Sequence, residues 1–225
     1  MATTTAGFQE ARRRMVERQL VSRGIVDPLV LAAMGTVPRE KFISPSQAAL
    51  AYRDGPLPIG EGQTISQPYI VARMTAAARL VPADRVLEIG TGSGYAAAVL
   101  AEIVADVYTV ERLPLLAERA RQRLAELGYV NVHVLAGDGT LGWPDHAPYD
   151  AIIATAGGPR APQALLDQLA LGGRLVIPLG PDPYEQRLVR IVRARAEEYE
   201  REDLELVAFV PLIGAQGWPV SVSGS

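Results

Sequence analysis

The ten residues VLEIGTGSGY (86–95) run an apolar strand directly into three glycines, Gly90, Gly92 and Gly94, with Thr91 and Ser93 between them. Glycines at such a turn let the backbone approach a ligand closely. The helix beyond the turn supplies N–H groups with no partner inside it. Any tight strand-to-helix turn favours glycine, so the loop alone says little. An acidic residue gives it weight: at the end of the next strand, in YTVER (108–112), sits Glu111. An acid there can accept both hydroxyls of an adenosine ribose. Loop and acid together point to a nucleotide-bearing cofactor.

Outward from this stretch the chain alternates strand and helix. RVLEIG (85–90) is a strand, 95–104 a helix, DVYTVER (106–112) a strand and 114–128 a helix. Pro114 suits that helix's first turn, Gly128 its end, and Leu116, Ala120, Leu124 and Leu127 its buried stripe. VNVHVLAGDG (130–139) and YDAIIATAG (149–157) are further strands. Residues 162–171 form a helix stopped by Gly172-Gly173, and RLVIPLG (174–180) is a fifth strand. Near-continuous apolar runs such as AIIA fit strands covered on both faces, which predicts a doubly wound parallel sheet. QRLVRIVRA (186–194) and LELVAFVPL (204–212) read as two antiparallel strands around a charged turn at 197–203, giving seven in all. Ahead of the sheet, residues 8–23 carry Phe8, Ala11, Met15 and Leu20 on one helical face. A short helix begins at Asp27-Pro28, an irregular stretch includes GEGQTISQPY (60–69), and 68–80 returns to helical periodicity with Ile70, Met74 and Ala77. The expectation is a single domain over 1–225: a helical cover (1–80), a cofactor-binding βα core (81–180) and closing strands with a tail (181–225) whose SVSGS end frays.

Hydrophobic residues at 48% and charged ones at 21% describe an ordinary folded globule. A net charge of −3 gives no basic footprint for nucleic acid. No apolar run reaches membrane-spanning length, since Glu102 and Asp106 interrupt the best one. The start MATTTAGFQEARRR lacks the apolar segment of an export signal, so a cytoplasmic setting is expected. The absence of cysteine removes disulfides, thiolate metal sites and cysteine nucleophiles. His133, in a strand, and His146, in a loop, are expected to be structural or solvated. Arg39, in VPREKF (37–42), could guide an acidic peptide or form an internal ion pair, but arginines are usually solvated and it is left out of the site.

Two cofactor classes fit the loop. Residues 92–97 match the dinucleotide pattern Gly-x-Gly-x-x-Ala, which suits an NAD-dependent oxidoreductase. That match leaves Glu88 unexplained. The arrangement Glu88-x-Gly90-x-Gly92-x-Gly94 instead resembles the first motif of S-adenosylmethionine-dependent methyltransferases, whose Rossmann-like fold it implies. AGDGT (136–140) adds Asp138 and Gly139 where such enzymes contact adenine. VPREKF, LPIGEGQTISQP, VLEIGTGSGY, VER, GDGTLGW, PYDAIIATA, LGGRLVIPLG and FVPL resemble, in order and spacing, the protein-L-isoaspartate O-methyltransferases over roughly residues 10–218. GQTISQP (62–68) is the part that discriminates this family from other methyltransferases.

The resemblance implies transfer of the methyl group of S-adenosylmethionine to the α-carboxylate of L-isoaspartyl residues in damaged proteins and peptides, leaving S-adenosylhomocysteine. The ester then closes to a succinimide, which hydrolyses partly to aspartate. It implies Ser66 at the reaction centre and a cofactor held by Gln63, Thr64, Ser66, Glu88, Gly90, Thr91, Gly92, Ser93, Gly94, Glu111, Asp138 and Gly139. No metal, nucleic acid or membrane is implied, and a monomer is expected. Ser66 could instead cap the helix beginning near Pro68. A related enzyme acting on aspartate side chains of a particular peptide, and an adenosine-binding module without activity, are the remaining readings. Gln216 and Trp218, after FVPL, could also reach the cofactor pocket, but no role is assigned to them.

Overall fold

The computed structural model describes residues 4–182 and 185–219; the terminal SVSGS lies outside them. Helix α1 (Thr5–Met15) starts where the Thr4 hydroxyl accepts from Gly7 N, 3.2 Å away. The helical path continues through a wide turn (Val16–Leu20) and a tight one (Val21–Arg23), until Gly24 ends it at φ 85°. Asp27 caps α2 (Pro28–Thr36), its Oδ1 accepting from Leu29 N and Val30 N at 2.9 and 3.3 Å. Pro28 at the first position has no N–H to lose.

The decamer expected to be irregular is half of a β-hairpin, β1 (Leu57–Gly60) with β2 (Gln63–Ile65). Both turn residues, Glu61 (φ 52°) and Gly62 (φ 67°), take positive φ, as a two-residue primed turn demands. Leu57 and Ile59 alternate towards the apolar cluster, but strands of four and three residues are too short for periodicity to reveal them. Helix α3 (Pro68–Ala77) comes next.

The βα alternation then appears as expected: β3 (Arg85–Ile89), α4 (Tyr95–Ala101), β4 (Asp106–Glu111), α5 (Pro114–Glu126), β5 (Val132–Ala136) and β6 (Tyr149–Ala154). Two boundaries differ downstream. The helix expected over 162–171 is only α6 (Gln163–Asp167), and β7 (Leu169–Asp182) already begins before Gly172-Gly173. Tyr149 pairs with Leu169 and Ala151 with Arg174, so the intervening residues bulge out of the strand. A Cβ on Gly173 would lie 2.8 Å from Ala170 O, which is why glycine stands there. Leu171, counted as helical and apolar, is 71% exposed on the bulge. The charged segment 197–203 is also mostly strand: β8 (Glu185–Arg195) and β9 (Glu198–Val207) leave only residues 196–197 as the turn. An edge strand tolerates charge on its solvent side, and β9 is the sheet's edge.

The sheet order is β5-β4-β3-β6-β7-β8-β9, parallel from β5 to β7 and antiparallel at β7–β8 and β8–β9. Chain order reverses between β3 and β6, and open α/β sheets bind ligands at that crevice. Successive side chains on a strand face opposite sides. Val86 and Val107 accordingly join one apolar cluster with Met15, Leu20, Phe42 and Tyr95. Leu87, Ile89 and Val110 join the other with Ile152 and Leu175. No helix among the described residues is long and apolar enough to cross a membrane.

Candidate active site

The carboxyl ends of β3 and β4 and the hairpin enclose a cavity of about 790 Å³ including its open mouth. Gly90, directly after β3, has φ 95°, and a Cβ there would sit 2.5 Å from Thr155 Oγ1. That hydroxyl donates to Gly90 O at 2.8 Å, joining the loop to the end of β6. Gly92 (φ 52°) donates its N–H to Glu111 Oε2 at 2.9 Å, and Leu113 N donates to Oε1 at 3.0 Å. Each carboxylate oxygen has a second lone pair, so Glu111 can accept two further hydroxyl hydrogen bonds. Gly94, the N-cap of α4, has no side chain to cap it, and the first N–H of the helix, Tyr95 N, donates to Ser93 Oγ at 3.4 Å.

Gln63, Thr64, Ser66, Gly90, Thr91, Gly92, Ser93, Glu111 and Gly139 all line this one cavity. A Cβ at Gly139 would lie 2.5 Å from Ile89 Cγ2, so only glycine lets the 139 loop pack against the end of β3. Ser66 is half-buried on the wall, and its hydroxyl makes no hydrogen bond among the described residues. The cap of α3 is Gln67, without a side-chain bond, so the capping alternative for Ser66 is not what the structure shows.

Glu88, Gly94 and Asp138 lie outside the wall. Glu88 is 1% exposed beneath the loop, and its Oε2 accepts from Thr109 Oγ1 at 2.5 Å. The Thr109 hydroxyl also meets Thr91 Oγ1 at 2.6 Å, so the chain Glu88–Thr109–Thr91 reaches the cavity through Thr91. Glu88 Oε1 has no hydrogen-bond partner among the described residues. Burial pushes this carboxyl up to about 8; the bond from Thr109 pulls down and the nearby Glu111 pushes further up. Gly94 (φ 89°) turns the chain into α4, where a Cβ would press Leu124 at 3.3 Å. Asp138 braces: Oδ1 accepts from Thr140 N and Oγ1 at 2.9 and 2.7 Å, and Oδ2 from Ala215 N at 2.7 Å. Burial alone would raise its pKa, but these bonds together hold it below the ordinary value.

Several wall residues lie in or beside the motifs PYDAIIATA, VER and FVPL but were not expected at the site: Thr155 and Ala156 after β6, Arg112, and the apolar run Val210–Ile213. Gly157 draws that run in, its N–H donating to Val210 O at 2.8 Å and its O accepting from Leu212 N at 2.7 Å. An isolated bridge between Gly157 and Pro211, outside the sheet's strands, brings the C-terminal run to the end of β6. Gln216 and Trp218 brace rather than line: Gln216 Oε1 accepts from Ala164 N, and Trp218 Nε1 donates to Gly157 O. His133 and His146 both stack on Tyr108, at 4.8 and 4.3 Å between ring centres. Arg39 is not solvated but fully buried. Its Nε donates to Ala51 O at 2.7 Å, and its guanidinium lies 4.9 Å from the ring centre of Tyr95. The VPREKF segment turns inward at residues 39–42 and carries the arginine into the core with Phe42.

Fold and cavity together define a Rossmann-like methyltransferase of the S-adenosylmethionine-dependent class. Comparison with known proteins narrows this. A family model described as protein-L-isoaspartate(D-aspartate) O-methyltransferase matches residues 10–217, and the chain belongs to that family. It is 62% identical over 211 residues to protein-L-isoaspartate O-methyltransferase 2 of Pelobacter propionicus, covering 93% of this chain and 94% of that one. Protein-L-isoaspartate O-methyltransferase 1 of Geotalea uraniireducens is likewise 62% identical over 209 residues, covering 93% and 95%. A solved protein-L-isoaspartate O-methyltransferase superposes with a TM-score of 0.84 at 29% identity, covering 92% of this chain and 67% of that one. A Plasmodium falciparum protein, described as a protein-L-isoaspartate O-methyltransferase in complex with S-adenosyl-L-homocysteine, gives 0.77 at 26% identity, covering 90% and 98%.

Proposed function

We propose that this chain repairs damaged polypeptides by moving the methyl group of S-adenosylmethionine to the α-carboxylate of L-isoaspartyl residues. The observation that carries the reading is one cavity shared by the uncommitted hydroxyl of Ser66, the Gly90–Ser93 turn and Glu111. Bound S-adenosylmethionine supplies a methyl group activated on a sulfonium, and S-adenosylhomocysteine remains. The close approaches at Gly90 and Gly139 and the spare lone pairs of Glu111 fit such a group. Glu111 would take the ribose hydroxyls, and the turn with Gly139 would lie against the rest of the nucleoside. Gln63 and Thr64, on β2, would close over it, while Gly94, Glu88 and Asp138 shape and brace from behind.

The chain's own task is alignment. A carboxylate with a pKa near ~3.5 is ionised at neutral pH, so the attacking oxygen needs no base. Ser66 donates its hydroxyl hydrogen to one carboxylate oxygen and leaves the other directed at the methyl carbon. Walls such as Ile65, Val71 and Leu212 keep water from competing. The reading includes a single working domain, with residues 1–80 as cover, 81–180 holding the cofactor and 181–225 closing the sheet. The apolar cluster joining Met15 and Phe42 to Val86 and Tyr95 supports this. It also includes a cytoplasmic setting, isoaspartyl-containing proteins and peptides as partners, and a monomer, which the charged edge strand β9 favours.

Ser66→Ala is the direct test. Turnover on an isoaspartyl peptide should fall by about 10²-fold, as for loss of one aligned donor. The melting temperature should move by no more than about 2 °C, since no cap is lost. Undiminished turnover would remove Ser66 from the mechanism. Methyl uptake by the aspartyl twin of the peptide, equal to that of the isoaspartyl form, would remove the substrate assignment.

A further inference from the structure

Next to the methyl-transfer cavity, and sharing Gly92 and Ser93 with it, lies a second depression of about 640 Å³ including its mouth. Phe42, Ile43, Ile59 and Leu116 make its apolar wall, Arg119 and Arg123 its charged one, and no acidic residue lines it. In a chain whose net charge is −3, a wholly cationic groove beside the active site runs against the average.

The other arginines of α5 are occupied. Arg121 pairs with Glu118 and donates to Val134 O at 3.0 Å. Arg123, half-buried, donates Nη1 to Ser93 O at 2.7 Å. Burial pushes the Arg123 pKa down, and the neighbouring Arg119 pushes it the same way against the pull of Glu126. Arg119 itself has neither an ion pair nor a hydrogen bond among the described residues. Its Nη1 reaches back over the hairpin, 3.5 Å from where a Cβ on Gly60 would stand. A side chain at residue 60 would therefore meet it. Two cations thus face one apolar groove that holds no countercharge of its own.

We propose that this groove receives a flank of the substrate chain and that Arg119 selects a carboxylate there, an aspartate or glutamate side chain near the damaged residue. This rests on isoaspartyl polypeptides being the substrate. Arg119 lies outside the wall of the methyl-transfer cavity, so it acts on substrate affinity rather than on the chemical step.

The test uses isoaspartyl peptides that are identical except for Glu, Gln or Lys at one position, walked along both flanks. At low salt, Glu at one flank position should lower KM relative to Gln by about two- to five-fold, with kcat and the cofactor KM unchanged. Lys should raise it, and high salt should shrink the difference. Arg119→Gln should abolish the preference and Arg119→Glu should invert it. A Glu-to-Gln ratio of KM values that is the same in the natural protein and in Arg119→Glu at every position would overturn the groove assignment. The all-Gln peptide separates the two levels. If it is methylated and no position responds, the groove fails alone; if it is not methylated, the proposed function fails and the groove with it.

Discussion

Glu88 occupies a place where a carboxyl group is costly to ionise. It lies on the face of β3 that also carries Val86, under a loop that seals it to 1% exposure. With its pKa pushed up to about 8 by burial, it is protonated at neutral pH in the folded chain but ionised when unfolded, where the ordinary value is 4.5. Between those two values the folded state binds more protons. The associated stability is fully present below about pH 4.5 and is lost as pH rises through about 8. The slope is at most about 1.4 kcal/mol per pH unit, the linkage for one proton. Glu88→Gln keeps an oxygen for Thr109 and removes the titration. Urea midpoints from pH 5 to 9 should therefore show the variant gaining on the natural protein as pH rises, and parallel curves would mean that Glu88 is ionised in the fold. The position of Glu88 was legible in the motif, but its depth was not, because depth depends on Thr91 and Thr109 closing above it. Arg39 teaches the same lesson from the other side. Its charge argued for solvent, whereas Phe42 and Tyr95 draw it inward.

Elements were legible in proportion to their apolar pattern. The stripe of α5, the Asp27-Pro28 start of α2 and the runs of β3 and β6 each write their period into the letters. The hairpin, the bulge of β7 and the start of β9 do not, because each is set by a partner strand rather than by its own residues. In the hairpin, Glu61 takes φ 52°, a conformation that asparagine and glycine adopt more readily than glutamate. Glu61→Asn should therefore stabilise the protein by about 0.5 kcal/mol, read as a higher urea midpoint with an unchanged m-value. Because residue 61 lies outside the cavity wall, methyl transfer should stay the same. A lower midpoint would show that glutamate makes a compensating contact in the turn. The two sheet edges also differ in their protection. β9 exposes Glu198, Glu200 and Glu202, while at β5 the Arg121 guanidinium occupies the carbonyl of Val134.

At the level of the whole molecule the site is an assembly of distant segments. Residues 63–66, 89–93, 110–112, 155–156 and 210–213 meet only when the sheet is complete and Gly157 has drawn in the C-terminal run. Composition shows nothing of this last wall, since Val210–Ile213 carry no chemistry of their own. A cavity built this way cannot exist in the unfolded chain, so its ligand binds the folded state alone and must stabilise all of it. At one hundred times its dissociation constant, such a ligand adds about 2.7 kcal/mol. For a chain of this length each kcal/mol raises the melting temperature by ~2–4 °C, so S-adenosylhomocysteine should raise it by roughly 5–11 °C in one cooperative transition. Glu111→Ala should lose most of that rise, because the ribose acceptor and the anchor of Gly92 N disappear together. Ser66→Ala should keep it, since its hydroxyl serves the carboxylate substrate. A natural protein whose melting point ignores S-adenosylhomocysteine would refute the cofactor assignment, and equal losses in the two variants would refute the division of labour between Glu111 and Ser66.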